Sequence, residues 1–352
     1  MLHNFSRIFI ILLSFAVYGS SDPNPTLYIE ETKLIGSYHE NGEVEMFLGT
    51  PFARPPIGEM RWKKPHPWMP IPEEEIYVNK FKPACFQNQR IVLWYKRLIQ
   101  DFGGDPSTFA VPDFSEDCLY LNLWRPKGKK NNLPVIVYIH GGSNKAGWAY
   151  EPNYLGHNIA SKDFILISIP YRLGVFGFFS HPEVESPNLA LFDQILALKW
   201  ISKYVSSFGG DPSNITLIGE SAGAGGISHL IASPLSEGLF QRAIHQSGGS
   251  SFTYPTSASE VKNLANEFSK SFLDSSIKNL RTVSAKEVLK ISEKIYANHY
   301  FNYVNDNLSL NEHLSESYKE GKIQSVDLII GSNNDEWSLY FDGNVDIELW
   351  LD

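Results

Sequence analysis

Four apolar runs punctuate the chain, and each ends in a glycine-rich or polar turn. "LPVIVYI" (133–139) runs into "HGGSNKAGW", and "FILISI" (164–169) into "PYRLG". "ITLI" (215–218) precedes "GESAG", and "VDLII" (326–330) precedes "GSNNDEW". Continuous apolar runs of this length fit strands covered on both faces, as in a parallel sheet. Between the second and third runs, "LALFDQILALKWISKYV" (189–205) places Leu191, Phe192, Ile195, Leu196 and Leu198 at helical spacing, and Trp200, Ile201 and Tyr204 continue the stripe. A second helix is predicted over "AGAGGISHLIA" (222–232), whose small residues permit close packing on a sheet. Strands alternating with helices predict a doubly wound α/β fold with a mostly parallel central sheet. In such sheets, sites gather at the carboxyl ends of the strands, where all four turns lie.

Residues 255–325 differ in character, being polar and lysine-rich with helical stretches such as "VKNLANEFSKSFL" and "SAKEVLKISEKIYANHYF". They read as a helical insertion, either covering the site or forming a solvated peripheral pair of helices. "FGGDPS" occurs at 102–107 and again at 208–213, but without flanking similarity it is a shared turn and not a repeat.

With 352 residues, 43% of them hydrophobic, the chain can bury a sizeable core. Its net charge of −9 leaves no electrostatic footprint for nucleic acid. At the N-terminus, Arg7, the apolar stretch 8–18 and small residues "GSS" have the layout of a secretory signal peptide over residues 1–20. The apolar stretch is too short to span ~30 Å of hydrocarbon, and no later run is longer. A secreted protein, or one held in the lumen of the secretory pathway, is the expectation. In that oxidising setting Cys85 and Cys118, the two cysteines, read as a disulfide worth about 3–4 kcal/mol; two buried thiols are the alternative. Asn214 and Asn307 head N-x-[ST] sequons, and Asn307, in a polar segment, is the better glycan candidate. No metal-ligand spacing is present, so no metal is expected.

Chemistry enters with "GESAG" (219–223). Gly-x-Ser-x-Gly between a strand and a helix is the pattern of a nucleophile elbow, in which glycines keep Cβ atoms out of a sharp turn and the serine stands exposed. "HGGS" (140–143) follows another strand, where such folds place the backbone N–H donors of an oxyanion hole. Each donor is typically worth ~3–4 kcal/mol of barrier.

With these motifs in place, the chain resembles the type-B carboxylesterase/cholinesterase-like family of α/β-hydrolases. "FGGDPSNITLIGESAG" (208–223) and "EDCLYLNLWRP" (116–126) match the family's signature stretches. "GTPFARPPIGEMRWKKPHP" (49–67), "YRLGVFGFFSHPE" (171–183), "NLALFDQILALKW" (188–200), "GLFQRAIHQSG" (238–248) and "GSNNDEW" (331–337) fall in the family's order. The resemblance covers essentially everything after the leader, so residues 21–352 read as one partial α/β-hydrolase domain. It implies Ser221 as nucleophile and Glu336 as triad acid, with Asp335 the rival acid by position. It places the backbone donors at Gly142, Ser143 and Ala222 and the disulfide at Cys85–Cys118. Arg61 with Glu116, and Arg172 with Asp193, fall where relatives form structural ion pairs. No cofactor is implied, and the partner is a small-molecule carboxylic ester.

Two departures bear on function. Ser143 replaces the third glycine of the donor turn; if that position needs a positive φ, serine costs about 1–2 kcal/mol. The family's catalytic histidine lies well beyond the acid, whereas all ten histidines here precede Glu336 and the sequence runs sixteen residues past it. His140 belongs to the donor turn, and His229 is ~12 Å along the elbow helix from Ser221. His245 follows another strand, but relatives show no catalytic histidine there. The expectation is a C-terminally truncated ester hydrolase lacking its base, keeping only ~10³–10⁴-fold catalysis over water. A non-catalytic cholinesterase-like binding or adhesion protein is the rival. Thr108 stands where cholinesterases carry a loop tryptophan, so a lipophilic or xenobiotic ester is expected in preference to acetylcholine.

Overall fold

Each of the four apolar runs becomes a strand of one eight-stranded sheet in the computed structural model, which describes residues 24–128, 130–249 and 258–336. Residues 1–23, which include the expected 1–20 leader, and residues 129, 250–257 and 337–352 lie outside the described residues. In chain order the strands are β1 (Ser37–Tyr38), β2 (Val44–Pro51), β3 (Tyr120–Pro126), β4 (Leu133–Ile139), β5 (Ile165–Ile169), β6 (Gly210–Glu220), β7 (Arg242–Gln246) and β8 (Asp327–Gly331). Their spatial order is β8-β7-β6-β4-β5-β3-β2-β1. The pairs β8/β7, β7/β6, β6/β4 and β4/β5 are parallel, and β5/β3, β3/β2 and β2/β1 antiparallel.

The buried strands are apolar throughout because both faces of the sheet are covered. In β5, Ile165, Ile167 and Ile169 enter the main core, while Leu166 joins Val44, Trp124 and Tyr138 in a smaller core on the opposite face. The strand containing "ITLI" is longer than its apolar part: it begins at Gly210, paired with Leu133, and an irregularity before Ile215 absorbs the polar "DPSN". The last apolar run has the opposite fate. Every residue of β8 is exposed, with Ile329 at 66% and Ile330 at 63%. Apolarity marks that strand, but neither of its faces is covered by the described residues.

The main helices are α1 (Arg90–Asp101), α2 (Leu189–Tyr204), α3 (Ala222–Ala232), α4 (Ala258–Lys270) and α5 (Ala285–Ile295). Helix α2 is buried on nearly every side and not along a single stripe; even Asp193 and Gln194 are 0% exposed. It lies between the core and the segment after α5, whose Tyr303 hydroxyl accepts from Gln194 Nε2 at 3.0 Å. That segment is well packed. Phe268 of α4, Val288 of α5, and Tyr296, Phe301 and Tyr303 beyond it all enter the main core. "SAKE" opens α5 as a capping motif, Ser284 Oγ accepting from the N–H of Glu287 at 3.2 Å.

Two buried ion pairs tie the layers together. Arg61 clasps Glu116 through Nε at 2.6 Å and Nη2 at 2.5 Å, and its Nη1 reaches the carbonyls of Leu280 and Val283 in the segment between β7 and β8. Arg172 donates to Asp193 from Nε (2.8 Å), Nη2 (2.7 Å) and its own backbone N–H (3.0 Å), and from Nη1 to Lys63 O. The Cys85–Cys118 disulfide is present and buried.

The topology fixes where a site can form. From β4 the chain crosses to β5 on one side, whereas β6 pairs with β4 on the other. The strand order reverses at β4 and β6, and the carboxyl ends of these two neighbours bring their turns side by side at one edge of the sheet.

Removing one partner of a fully buried pair leaves an uncompensated charge, at a cost of about 3–5 kcal/mol. Asp193→Asn is expected to lower the unfolding free energy by that amount in urea titration, seen as a lower midpoint with an unchanged slope.

Candidate active site

Strand β6 ends at Glu220 and α3 begins at Ala222, so Ser221 makes the whole turn alone. It does so at φ 53°, ψ −120°, a conformation that costs a non-glycine residue of order 1–3 kcal/mol. The neighbours hold it there. Ser221 N–H donates to Gln246 O on β7 at 2.8 Å, and Ser221 O accepts from Gly225 N in the first turn of α3 at 2.9 Å. The flanking glycines are steric necessities. A Cβ at Gly223 would lie 2.1 Å from Ile139 O, and one at Gly219 would lie 2.6 Å from Gly223 C.

The turn after β4 is pressed against this elbow. A Cβ at Gly141 would meet Glu220 O at 2.8 Å and Ser221 Cβ at 3.2 Å. Gly142 (φ 104°), Ser143 (φ 57°) and Asn144 (φ 55°) follow in succession with positive φ. Lys145 N and Ala146 N both close back on Gly142 O at 3.1 Å. Ser143 thus accepts the left-handed backbone that its glycine-like place in the turn demands, with its side chain in solvent. Among the described residues, no acceptor takes the N–H of Gly142 or Ser143. Ala222 N–H is an orphan donor at the N-terminus of α3.

Glu336 accepts from Asn333 N at 2.8 Å and from the Ser247 hydroxyl. These two donors, the hydroxyl first, hold its carboxyl below the usual carboxylate range. Among the described residues Asp335 is bonded only to the amide of its neighbour Asn334, so the anchored carboxylate is Glu336. Ser247 is left-handed itself (φ 56°), and its N–H donates to Gly331 O at the end of β8. Sequence reasoning assigned Ser247 no role, although it stands in the quoted "HQSG" stretch.

Glu220, just before the serine, was also passed over. It shares with His245, Ser247, Asn333, Asp335 and Glu336 the lining of an open cavity of about 710 Å³. Burial, followed by repulsion from Glu336 and Glu151, pushes its carboxyl up to about 7. Glu151 is buried too. It accepts from Tyr95 OH at 2.5 Å and Trp148 N at 3.0 Å, and burial raises its own carboxyl despite these donors.

The histidines sort clearly. His140 donates from Nδ1 to Gly141 O at 2.9 Å and stacks on Tyr171; burial lowers it to about 4 and keeps it neutral. His229 is occupied by Gly225 O at 2.7 Å and is likewise lowered to about 4 by burial. His245 is 3% exposed, and its ring packs against Gly248, with neither nitrogen hydrogen-bonded among the described residues. None of them reaches Glu336. Of the sequon asparagines, Asn307 is exposed, while half-buried Asn214 accepts from Arg242 Nη1 at 2.7 Å. Among the described residues, no helix is long and apolar enough to cross a membrane.

A doubly wound sheet with a left-handed serine at the switch point is an α/β-hydrolase scaffold. Residues 23–348 match the model of the carboxylesterase family, and the chain belongs to that family. It is 36% identical over 326 residues to the p-nitrobenzyl esterase of Bacillus subtilis, covering 88% of this chain and 62% of the relative. It is 34% identical over 320 residues to the fumonisin B1 esterase of Sphingopyxis macrogoltabida, covering 86% and 55%. A solved PNB esterase superposes with a TM-score of 0.81 at 33% identity, over 92% of this chain and 66% of that one. The chain therefore spans between about half and two thirds of the length of these relatives.

The raised Glu220 carboxyl gives a pH signature. The folded state holds this proton more tightly than the unfolded chain, so stability falls as pH rises from about 4.5 to about 7. Glu220→Gln removes the penalty. Its melting temperature is expected to exceed that of the unsubstituted protein at pH 8 and to converge with it at pH 5, as followed by circular dichroism.

Proposed function

We propose that the protein is a serine hydrolase of carboxylic esters that acts through an acyl-enzyme, with Ser221 as nucleophile and Glu336 as the acid of its triad. The observation that carries this reading is the strained Ser221 elbow seated directly against the Gly141–Ser143 turn. In the reaction, Ser221 Oγ bonds to the ester carbonyl carbon while its proton passes to an imidazole base. The carbonyl oxygen becomes an oxyanion facing the N–H groups of Gly142, Ser143 and Ala222. The tetrahedral species collapses, the alkoxy bond breaks, and the alcohol leaves with the proton. Water then attacks the acyl-serine by the reverse proton route and releases the acid.

The imidazole is the part that the described residues do not bring to Ser221. His140 and His229 are neutral and bonded elsewhere, and His245, although it lines the cavity of Glu220 and Glu336, makes no hydrogen bond to Ser221 or Glu336 among the described residues. We assign the base to a histidine beyond this sequence, so these 352 residues alone have weak or no activity. The rival binding or adhesion reading draws on the missing histidine and on Ser143; the intact "GESAG" and "GSNNDE" stretches, and the positive φ that Ser143 adopts in the donor turn, favour the hydrolase. The relatives are named for two dissimilar esters, a p-nitrobenzyl ester and fumonisin B1, which fits a broad carboxylic-ester class. The 1–20 leader pattern and the disulfide support secretion, and exposed Asn307 is the favoured glycan site.

A p-nitrophenyl phosphonate probe tests the chemistry. On the 352-residue chain, mass spectrometry is expected to find little labelling of Ser221 alone, clear labelling with added imidazole, and none in Ser221→Ala. Rapid labelling that imidazole does not alter would place the base within this sequence. Absence of labelling under both conditions would refute the nucleophile assignment. Secretion is tested separately, in cultured eukaryotic cells. The protein should reach the medium, and its gel mobility should respond to an N-glycosidase unless Asn307 is replaced by Gln; retention in the cytosol contradicts the secretory reading.

A further inference from the structure

The donor turn rests on a backbone platform held by a side chain distant in sequence. A Cβ at Gly142 would lie 2.0 Å from Ala146 O and 3.3 Å from Gly147 N, so Gly142 lies flat on the Ala146–Gly147 peptide. Gly147 (φ 107°) is wedged just as tightly beneath the turn, its missing Cβ pointing at Gly141 O (2.5 Å) and His140 Nδ1 (2.6 Å). Any shift of Gly147 therefore moves Gly141 and Gly142. What holds Gly147 is Gln87. Its carboxamide Oε1 accepts from Gly147 N at 2.7 Å, and its Nε2 donates to Gly147 O at 2.7 Å, a two-point clasp like one rung of a sheet. Gln87 is 4% exposed, so water does not compete for these bonds.

The other end of the clasp is a covalent clip. Gln87 Nε2 also donates to Cys85 O at 3.0 Å. Cys85 pairs with Ser115 in a two-residue parallel bridge and is joined by its disulfide to Cys118. Glu116, between these partners, is clamped by Arg61. A continuous path of short contacts thus runs from the disulfide through Gln87 to Gly147 and on to the donor turn.

We propose that Gln87 is a positioning residue for the Gly142 and Ser143 donors, and that the Cys85–Cys118 disulfide constrains the donor turn through it. The proposal rests on the reading of this turn as an oxyanion site, but its mechanical half does not. It gives the disulfide a role at the site beyond chain entropy, and it predicts coupling between residues 60 positions apart.

Amide hydrogen exchange by mass spectrometry tests the coupling without reference to activity. In Gln87→Ala, peptides covering 142–147 should exchange roughly tenfold faster, the scale of one lost hydrogen bond, while β4 is unchanged. The double variant Cys85→Ser/Cys118→Ser should loosen the same peptides, and combining it with Gln87→Ala should add little. Gln87→Glu gives a signature that mere packing would not: at acid pH its neutral carboxyl has one donor and one acceptor for Gly147 and should hold the turn nearly as glutamine does, without the second bond to Cys85 O. At pH 8 it loses the donor and should behave like alanine. This variant also carries the test if Gln87→Ala does not fold. Unchanged exchange in the folded variants, or additive effects of clip and clasp, would overturn the proposal. Imidazole-assisted phosphonate labelling of Ser221 should slow at least tenfold in Gln87→Ala. A loosened turn with an unslowed Ser221 would overturn the positioning role while sparing the nucleophile. If the unsubstituted protein fails to label, the nucleophile reading falls, and the exchange results alone decide the coupling.

Discussion

The site depends on one constraint, the contact of backbone on backbone where the ends of β4 and β6 meet. Gly223 presses on Ile139 O, Gly141 presses on the Glu220–Ser221 peptide, and Gly142 lies on Ala146 and Gly147. Each contact excludes even a methyl group. Because the strands are neighbours in a parallel sheet, their carboxyl ends deliver the elbow and the donor turn to one point, already in contact. Ser221 and Ser143 hold positive φ because the glycines beside them are wedged against neighbouring main chain, which fixes the path of both turns.

Electrostatics works within that frame by contrast. Glu336 is half-buried and held by a hydroxyl and an N–H, which keep it ionised. Glu220, more deeply set and facing Glu336 and Glu151, is driven towards its neutral form. Two carboxylates on one cavity thus titrate far apart, the pattern by which environment divides roles among chemically similar groups. For the proposed chemistry this matters directly, since a second full negative charge beside Ser221 would oppose a developing oxyanion.

The segment between β7 and β8 is as structural as the sheet. Arg61 reaches from the disulfide region to Leu280 and Val283, and Asn144 in the donor turn donates to Phe301 O at 2.7 Å. Lys145 beside it reaches Tyr296 O at 3.2 Å. The lysine-rich surface of α4 and α5 conceals a buried row of aromatic residues, so a polar composition coexists with deep packing on the main core.

Much of this fold is legible in the sequence because its signals are local. Apolar runs of four to seven residues bounded by turns mark strands, and Gly-Glu-Ser-Ala-Gly between a strand and a helix marks an elbow. Chain order then places the elbow and the donor turn at the same edge of the sheet. What the sequence could not determine is anything set by contacts between distant positions. "VDLII" reads like the other runs, yet β8 lies uncovered because burial is decided by neighbours and not by composition. Ser247 meets Glu336 across 89 positions, and Gln87 clasps Gly147 across 60; neither residue carries a local pattern that announces its partner. The sequence determined the parts and their order, since these follow from residue type and spacing along the chain. Only the tertiary structure decided which glycines touch which carbonyls, which carboxylate keeps its charge, and which amide steadies the turn, because each depends on distances that folding alone creates.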